Sequence, residues 1–173
     1  IWLESPGPVI CRQKRAGQLI AVRQHGGVTS FEFVEFEMYK FRSMKVDMLD
    51  ASGNRSASRD DDRITRVGRF MRATSIDELP QLWSVFTGKM SLVGPRPCLP
   101  YEYDHFKEWH KLKYKVIPGI TGLAQIIARN REDVTFSDSV LLDLYYADNQ
   151  SLWLDLKILF KTIPVMVLGK GGI

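Results

Sequence analysis

Two adjacent acidic residues, Asp77 and Glu78, are the strongest candidates for chemistry in this sequence. Ser75 precedes Glu78 by three residues, which is the spacing of a capping box, so the pattern predicts a helix that begins at Ser75. Asp77 would then lie in the first turn, where the helix dipole favours an ionised carboxylate. Such a carboxylate can accept a phosphoryl group, although an acidic residue in a first turn also serves as a plain helix cap.

The segments on both sides of the acidic pair are predicted to be helical. On its C-terminal side, apolar residues recur at helical spacing, at Leu79, Leu82, Trp83 and Phe86. On its N-terminal side, four arginines follow one another at intervals of three residues, at Arg63, Arg66, Arg69 and Arg72. These arginines form either a solvated helix face or a cationic wall that faces the two acids and suits phosphate groups.

Arg96 is presented in a different way. Pro95 and Pro97 flank it and hold its backbone extended, which lowers the entropy cost of presenting the guanidinium group to a phosphate. A plain connector with a surface arginine is the alternative, and we favour phosphate binding.

Other possible metal ligands in the sequence are weaker. The aspartates 60–62 have the D-x-D spacing of some metal sites, but they end a polar segment, 45–62, that is more simply interpreted as a mobile, solvated loop. His25, His105 and His110 have no cysteine partners at zinc spacing and are expected at the surface. Two cysteines, Cys11 and Cys98, are expected as buried free thiols, which fits a reducing compartment.

The composition describes an ordinary folded protein. The 173 residues are expected to form one domain, with 45% hydrophobic and 25% charged residues. A net charge of +4 is compatible with anionic ligands or an anionic membrane surface and is diagnostic of neither. No run of 18 uncharged apolar residues is present, and the apolar start Ile1-Trp2-Leu3 leads us to expect a further segment upstream.

The predicted fold class is α+β, with a small antiparallel β-hairpin followed by a mostly helical domain. The hairpin is predicted from strands near 9–11 and 31–39, with Gly17 and Gly26-Gly27 in an irregular or lengthened connection. Residues 101–115 and a segment through 141–146 are predicted to be helical. The last apolar segment, 152–161, is expected either as a core helix or as an amphipathic helix lying on a membrane surface.

Six motifs in this order resemble the bacterial sugar transferase family, the monotopic phosphoglycosyl transferases that act on polyprenol phosphate. They are Ser5-Pro6-Gly7-Pro8-Val9-Ile10 with Arg12-Gln13-Lys14-Arg15; Tyr39-Lys40-Phe41-Arg42-Ser43-Met44; Asp62-Arg63-Ile64-Thr65-Arg66-Val67-Gly68; Ser75-Ile76-Asp77-Glu78-Leu79-Pro80-Gln81-Leu82; Met90-Ser91-Leu92-Val93-Gly94-Pro95-Arg96-Pro97; and Pro118-Gly119-Ile120-Thr121-Gly122-Leu123-Ala124-Gln125. The resemblance runs over nearly the whole chain, and the order and spacing of the motifs make it specific.

The resemblance implies transfer of a sugar-1-phosphate from a UDP-sugar to undecaprenyl phosphate, which starts the assembly of bacterial glycans such as exopolysaccharide. It implies a two-step, Mg²⁺-dependent route in which Asp77 attacks the β-phosphate and the lipid phosphate then displaces the sugar phosphate. The metal is expected at Asp77 and Glu78, and Glu78 alternatively assists protonation. The enzyme is expected to be monotopic, on the cytoplasmic face of the bacterial inner membrane.

The resemblance also assigns expected ligand contacts. Lys40, Arg72 and Arg96 are expected to hold substrate phosphates. Further contacts to the nucleotide or the lipid phosphate are expected from Arg129, Asn130, Asp143, Tyr145 and Tyr146. No histidine base is required, because a carboxylate nucleophile is already ionised at neutral pH.

The sequence departs from the family in two features, and two other functions are alternatives to the transferase. In the family a re-entrant membrane helix precedes the first proline turn, and we expect it in the segment upstream of Ile1. The segment between Gly17 and Phe31 is longer than the usual hairpin link. A catalytically silent scaffold at a membrane surface is the main alternative function. A nucleic-acid partner is not expected, because no recognition motif accompanies the arginines. The sequence predicts neither the sugar nor the oligomeric state.

Overall fold

The computed structural model describes residues 4–46, 61–128, 131 and 133–167 of the chain, and it confirms the α+β fold class. The strands are β1 (Ile10–His25), β2 (Val28–Phe41), β3 (Ser91–Val93) and β4 (Gly119–Thr121). The α-helices are α1 (Arg66–Ala73), α2 (Leu82–Phe86), α3 (Pro100–Asp104), α4 (Glu108–Lys111), α5 (Leu123–Ala128), α6 (Phe136–Asp148) and α7 (Leu152–Val167). Two 3₁₀ helices cover Ile76–Gln81, which we call the Asp77 turn, and Leu112–Lys115.

The hairpin of β1 and β2 is confirmed, but its predicted connection is wrong. The two strands pair from Ile10 with Phe41 to His25 with Val28, so the connection is a tight turn of Gly26 and Gly27. Both glycines have positive φ, 57° and 80°, as a two-residue hairpin turn requires. The additional length therefore extends both strands, and the irregularity consists of two register shifts within β1, between residues 16 and 21.

The second half of the chain is mostly helical. The predicted helix over residues 101–115 is divided into α3, α4 and the 3₁₀ helix Leu112–Lys115, because Lys107 adopts an extended backbone (ψ 156°) between the first two. Strands β3 and β4 form a short parallel pair. At this point Gly94 and Gly119 approach so closely that a Cβ at Gly119 would lie 2.1 Å from Gly94 N, which explains the glycine.

Three clusters of buried apolar residues form the core of the described structure, and two of them include residues of the hairpin. The first contains Val93, Ile126, Tyr146 and Ile158; the second Ala16, Cys98 and Tyr114; the third Phe36, Met38 and Met90. The second and third clusters anchor the inner half of the hairpin.

Helix α7 packs on the core along one side, and its expected position on a membrane surface stays a prediction. Ile158 is buried in the core, which confirms a core-facing side, while Leu152, Trp153, Phe160 and Ile163 are exposed. Within the described ranges, no helix combines the length and apolar character needed to cross a bilayer.

Candidate active site

The Asp77 turn differs from the predicted capping box. It is a 3₁₀ helix, with Pro80 inside it, and Ser75 makes no side-chain cap. Ser75 instead adopts the left-handed conformation (φ 56°), and its carbonyl oxygen accepts a hydrogen bond from the Glu78 backbone N–H at 3.1 Å. The prediction failed because the Glu78 carboxylate has a cationic partner elsewhere, so it does not return to the Ser75 backbone.

Glu78 is bound between two cations from distant parts of the chain. Its Oε1 lies 2.9 Å from Lys40 Nζ, at the end of β2, and 3.7 Å from Arg96 Nη1, in the segment after β3. The side chains of Lys40 and Glu78 are largely buried, with exposed fractions of 18% and 13%. The structure therefore brings together three residues that the sequence nominated separately.

The charges of the same lysine and of Arg72 act on Asp77. Its side chain is buried, with 7% of the residue exposed. Burial raises the pKa of Asp77 above its ordinary value and the neighbouring Glu78 raises it further, while Lys40 and Arg72 oppose the shift. A poorly hydrated carboxylate held next to two cations can act as a nucleophile toward an anionic phosphate, because the cations reduce the repulsion.

Arg96 rests on a backbone that is fixed at every carbonyl. The carbonyl oxygens of residues 95, 96, 97 and 98 accept hydrogen bonds from Gly119 N at 2.9 Å, Tyr114 Oη at 2.9 Å, Arg15 Nη1 at 3.2 Å and Ala16 N at 3.0 Å, respectively. The extended backbone that Pro95 and Pro97 favour is therefore also held by hydrogen bonds from β1, β4 and Tyr114. The side chain of Arg96 remains half exposed, at 46%, and is accessible to a ligand.

The four arginines at intervals of three do not form one cationic wall. Helix α1 begins at Arg66, so Arg63 lies outside it and binds Asp61 through Nη2 at 2.6 Å. Arg66 and Arg69 are exposed. Only Arg72 reaches the site, where its Nε donates to Ser43 Oγ at 2.8 Å and its charge acts on Asp77.

Several predicted contact residues lie elsewhere. Asp143 is buried in an ion pair with Lys113 at 3.0 Å. Tyr146 is a core residue whose hydroxyl donates to Asp155 Oδ1 at 2.7 Å and lies 3.1 Å from Val93 O. Tyr145 is exposed on α6. Arg129 and Asn130 lie outside the described residues. The roles expected for these residues toward ligands remain predictions.

Other sequence-based expectations need correction or limitation. His110 is buried, not at the surface, while His25 and His105 are exposed. Cys98 is buried and Cys11 half-buried, both as free thiols. Residues 47–60 of the polar segment, including Asp60, lie outside the described residues. In the described part of the chain no group of three or more potential metal ligands is found.

Next to the acidic pair the molecule exposes an apolar surface, formed by Phe70, Ile76, Leu79, Leu82, Trp83 and Phe86. Phe86 is 82% exposed, and its ring stacks on Trp83 with centroids 5.7 Å apart. The predicted apolar face of this segment is therefore present, but it faces outward instead of packing into the core. Contiguous exposed apolar groups of this kind mark interaction surfaces.

Comparison with known proteins identifies the family. The sequence profile of the bacterial sugar transferases matches residues 1–169. The chain belongs to the bacterial sugar transferase family. Members similar to it include the undecaprenyl-phosphate glucose phosphotransferase of Komagataeibacter xylinus, 44% identical over 99% of the chain, and the galactosyl transferase CpsE of Streptococcus agalactiae, 40% identical over 96%.

A further relative, the UDP-N-acetylgalactosamine-undecaprenyl-phosphate N-acetylgalactosaminephosphotransferase of Aeromonas hydrophila, is 39% identical over 99% of the chain. The chain spans 32%, 36% and 38% of the lengths of these three relatives, respectively. Their names give three different sugars at nearly the same identity. Family membership therefore does not specify the sugar that this member handles.

Three residues that sequence reasoning missed lie near Glu78. Arg15, Gln81 and Gln125 line a small cavity next to Lys40, Glu78 and Arg96. For Arg15 a signal was available, because strand alternation places it on the same face of β1 as Cys11 and Gln13, while Arg12 and Lys14 point to solvent. For Gln125 no such signal exists, since its position depends on the packing of α5 against β3 and β4.

Proposed function

We propose that this chain carries the catalytic site for transferring a sugar-1-phosphate from a UDP-sugar to undecaprenyl phosphate. The observation that supports this most directly is the buried carboxylate of Asp77, on which the charges of Lys40 and Arg72 act, beside a Glu78 that binds Lys40 and Arg96. This arrangement matches a reaction between two polyanions, and it occurs in a chain of the bacterial sugar transferase family.

The proposed first step forms a covalent intermediate. A carboxylate oxygen of Asp77 attacks the sugar-linked phosphorus, an O–P bond forms, and the bond to the bridging oxygen breaks so that UMP leaves with its electrons. In the second step a phosphate oxygen of the lipid attacks the same phosphorus and releases the Asp77 carboxylate. Lys40, Arg72 and Arg96 compensate the charge on the phosphate oxygens in both steps.

Mg²⁺ is part of the proposal, with Asp77 and Glu78 as its protein ligands. The donor set fits, because Mg²⁺ in nucleotide sites is commonly bound by one or two carboxylates together with substrate phosphates and water. The metal would neutralise diphosphate charge when bound. Three cationic side chains near the acidic pair, Lys40, Arg72 and Arg96, would also compensate the negative charge of the diphosphate.

A location on the cytoplasmic face of the bacterial inner membrane completes the proposal. The lipid substrate has to reach Asp77 from a bilayer, and the apolar surface adjoins the turn that carries this residue. Exposed tryptophan and phenylalanine side chains insert well at the level of lipid headgroups. The same surface would also serve a catalytically silent membrane scaffold, which is the second candidate.

UMP release separates the two candidates. The protein at its full length is incubated with undecaprenyl phosphate, Mg²⁺ and UDP-glucose, UDP-galactose or UDP-N-acetylgalactosamine, in parallel with its Asp77→Asn variant. The proposal predicts UMP from at least one donor with the native protein and none with the variant. Vesicle binding without UMP from any donor would support the scaffold instead.

A further inference from the structure

A small cavity lies beside Glu78, and several polar atoms in its walls have no hydrogen-bond partner among the described residues. Its lining includes Arg15, Lys40, Glu78, Gln81, Arg96 and Gln125. It has room for about one water molecule or one phosphate oxygen, and not for a nucleobase or a sugar ring. Three of these side chains are cations and one is an acid, so the cavity has an excess of positive charge.

Arg15 is the most deeply buried of these cations, with 8% of its surface exposed. Its Nη1 donates to Pro97 O at 3.2 Å and its Nη2 to Gln13 Oε1 at 2.7 Å, which are both neutral acceptors. Its Nε is shielded from solvent and has no hydrogen-bond partner among the residues that the structure describes. Burial and repulsion from Arg96 lower the pKa of Arg15 to about 10, which still leaves it charged at neutral pH.

Gln125 shows the same lack of partners. Both atoms of its side-chain amide are shielded from solvent, and no described residue hydrogen-bonds to either. Buried polar groups in native proteins are almost always paired, and a buried donor left unpaired is destabilising. The unpaired Nε of Arg15 and the unpaired Nε2 of Gln125 are both donors on the walls of one cavity, and they point to an acceptor that comes from outside the protein.

We infer that Arg15 and Gln125 form the inner wall of a phosphate-binding subsite, donating hydrogen bonds from Nε and Nε2 to a phosphate oxygen. Lys40 and Arg96 hold the same phosphate from the outer side. The ligand class is a phosphate monoester or diphosphate, carried either by a nucleotide or by a lipid. The inference rests on the proposed function for its biological ligand but not for its test, which measures binding without turnover.

Two substitutions of Gln125 test the subsite without removing any hydrogen bond seen in the described structure. Gln125→Glu places a carboxylate of the same shape beside Arg15, where it occupies the donors and repels an incoming phosphate. Gln125→Leu removes the amide and leaves the charge unchanged. Calorimetric titration with inorganic pyrophosphate, UDP and farnesyl phosphate at fixed ionic strength should show binding about tenfold weaker in both variants for at least one ligand. The ligand affected identifies the source of the phosphate.

Gln24→Glu is the matched control, because it makes the same charge change at an exposed position of β1 far along the hairpin. It should bind all three ligands like the native protein. Melting temperatures of the two Gln125 variants should be unchanged or higher. Native affinity for every ligand in both variants would overturn the inference, and so would a large loss of stability in both, since that would reveal an internal partner for the amide.

The result is distinguishable from a failure of the proposed function. If pyrophosphate binding weakens in the variants but the native protein releases no UMP, the subsite stands and the transferase activity does not. If the native protein turns over and all three ligands bind equally to native and variant proteins, the transferase stands and the subsite is wrong.

Discussion

The Nζ atom of Lys40 lies 2.9 Å from Glu78 Oε1, and this contact fixes the end of strand β2 to the turn that carries Asp77. The hairpin is therefore part of the candidate site and not an appendage to it. Because the charge of the same lysine also acts on Asp77, one side chain interacts with both carboxylates of the acidic pair.

Replacing Lys40 with methionine should reduce UMP formation about 100-fold, which is the usual cost of removing one charge-stabilising donor from an active site. The stem of the side chain is retained, so packing against the turn is preserved. Lys14→Met is a suitable control, because Lys14 is an exposed lysine of the paired strand β1. Initial rates at saturating donor test this, and a Lys40→Met enzyme within threefold of the Lys14→Met enzyme would contradict the role assigned to Lys40.

Tyr114 is predicted to act on catalysis through Arg96. It is fully buried, and its hydroxyl donates to Arg96 O at 2.9 Å. Tyr114→Phe should lower kcat/KM for the UDP-sugar about tenfold by loosening the backbone that presents the guanidinium group. In an Arg96→Ala background the same change should have almost no further effect, since the group that it positions is gone. Equal losses in the two backgrounds would show that Tyr114 supports the fold in general and does not act through Arg96.

The ionisation of Asp77 should appear in both activity and stability. Since its pKa is raised, kcat/KM should fall with decreasing pH at a pKa above the ordinary aspartate value. A raised native-state pKa means that the ionised form destabilises the fold, so stability is lost as pH rises through that pKa. Asp77→Asn should therefore increase the free energy of unfolding at pH 7, and the gain should disappear below the unfolded-state pKa.

Asp138 is expected to have the opposite effect on stability. Urea titrations at several pH values measure the free energy of unfolding of both the Asp77 and the Asp138 variants. Hydrogen bonds from Thr135 at the start of α6 lower the pKa of Asp138. Its contribution to stability is therefore present above the unfolded-state pKa and is lost as pH falls through the native-state value. Asp138→Asn should destabilise the protein at pH 7. If Asp77→Asn destabilised the protein at pH 7, as Asp138→Asn is expected to do, the electrostatic description of the Asp77 site would be wrong.

Phe86 tests the proposed contact with the membrane. Because its side chain is 82% exposed, Phe86→Glu should change the free energy of unfolding by no more than about 0.5 kcal/mol. It should nevertheless weaken binding to vesicles of anionic phospholipid, since a charge at the bilayer surface opposes burial of the apolar surface. Val28→Glu, at the exposed tip of the hairpin, is the control in the same sedimentation assay. Equal binding by both variants would remove the apolar surface from the proposal.

The residue types at the site could be read from the sequence, but the contacts among them could not. Asp77, Glu78, Lys40, Arg72 and Arg96 were all nominated as isolated motifs, and their assembly depends on the long-range pairing of β2 with the Asp77 turn. Local pattern reasoning failed where a tertiary contact overrode it. Glu78 had the spacing of a capping box, yet it binds Lys40, 38 residues away in sequence.

Arg15 shows a different limit of sequence reasoning. It stands in a basic run that is typical of a solvated strand, and alternation alone distinguishes its buried side chain from those of Arg12 and Lys14. The partners of the buried Arg15 guanidinium group, the Pro97 carbonyl and the cavity, depend on tertiary contacts that strand alternation does not predict. In contrast, the hairpin, α6 and α7 followed from periodicity and glycine positions, because the forces that form them act mainly over short stretches of chain.

The central claim is that Asp77 becomes covalently bound to the sugar phosphate during turnover. It is tested most directly by incubating the full-length protein with the UDP-sugar that supports turnover, in the absence of lipid acceptor, followed by acid quenching and mass spectrometry of the peptide that contains Asp77. Our account predicts a mass increase equal to the sugar phosphate on this peptide, which undecaprenyl phosphate removes and which the Asp77→Asn variant never acquires. An unmodified Asp77 peptide in an enzyme that releases UMP, or the same adduct on the Asp77→Asn variant, would contradict it.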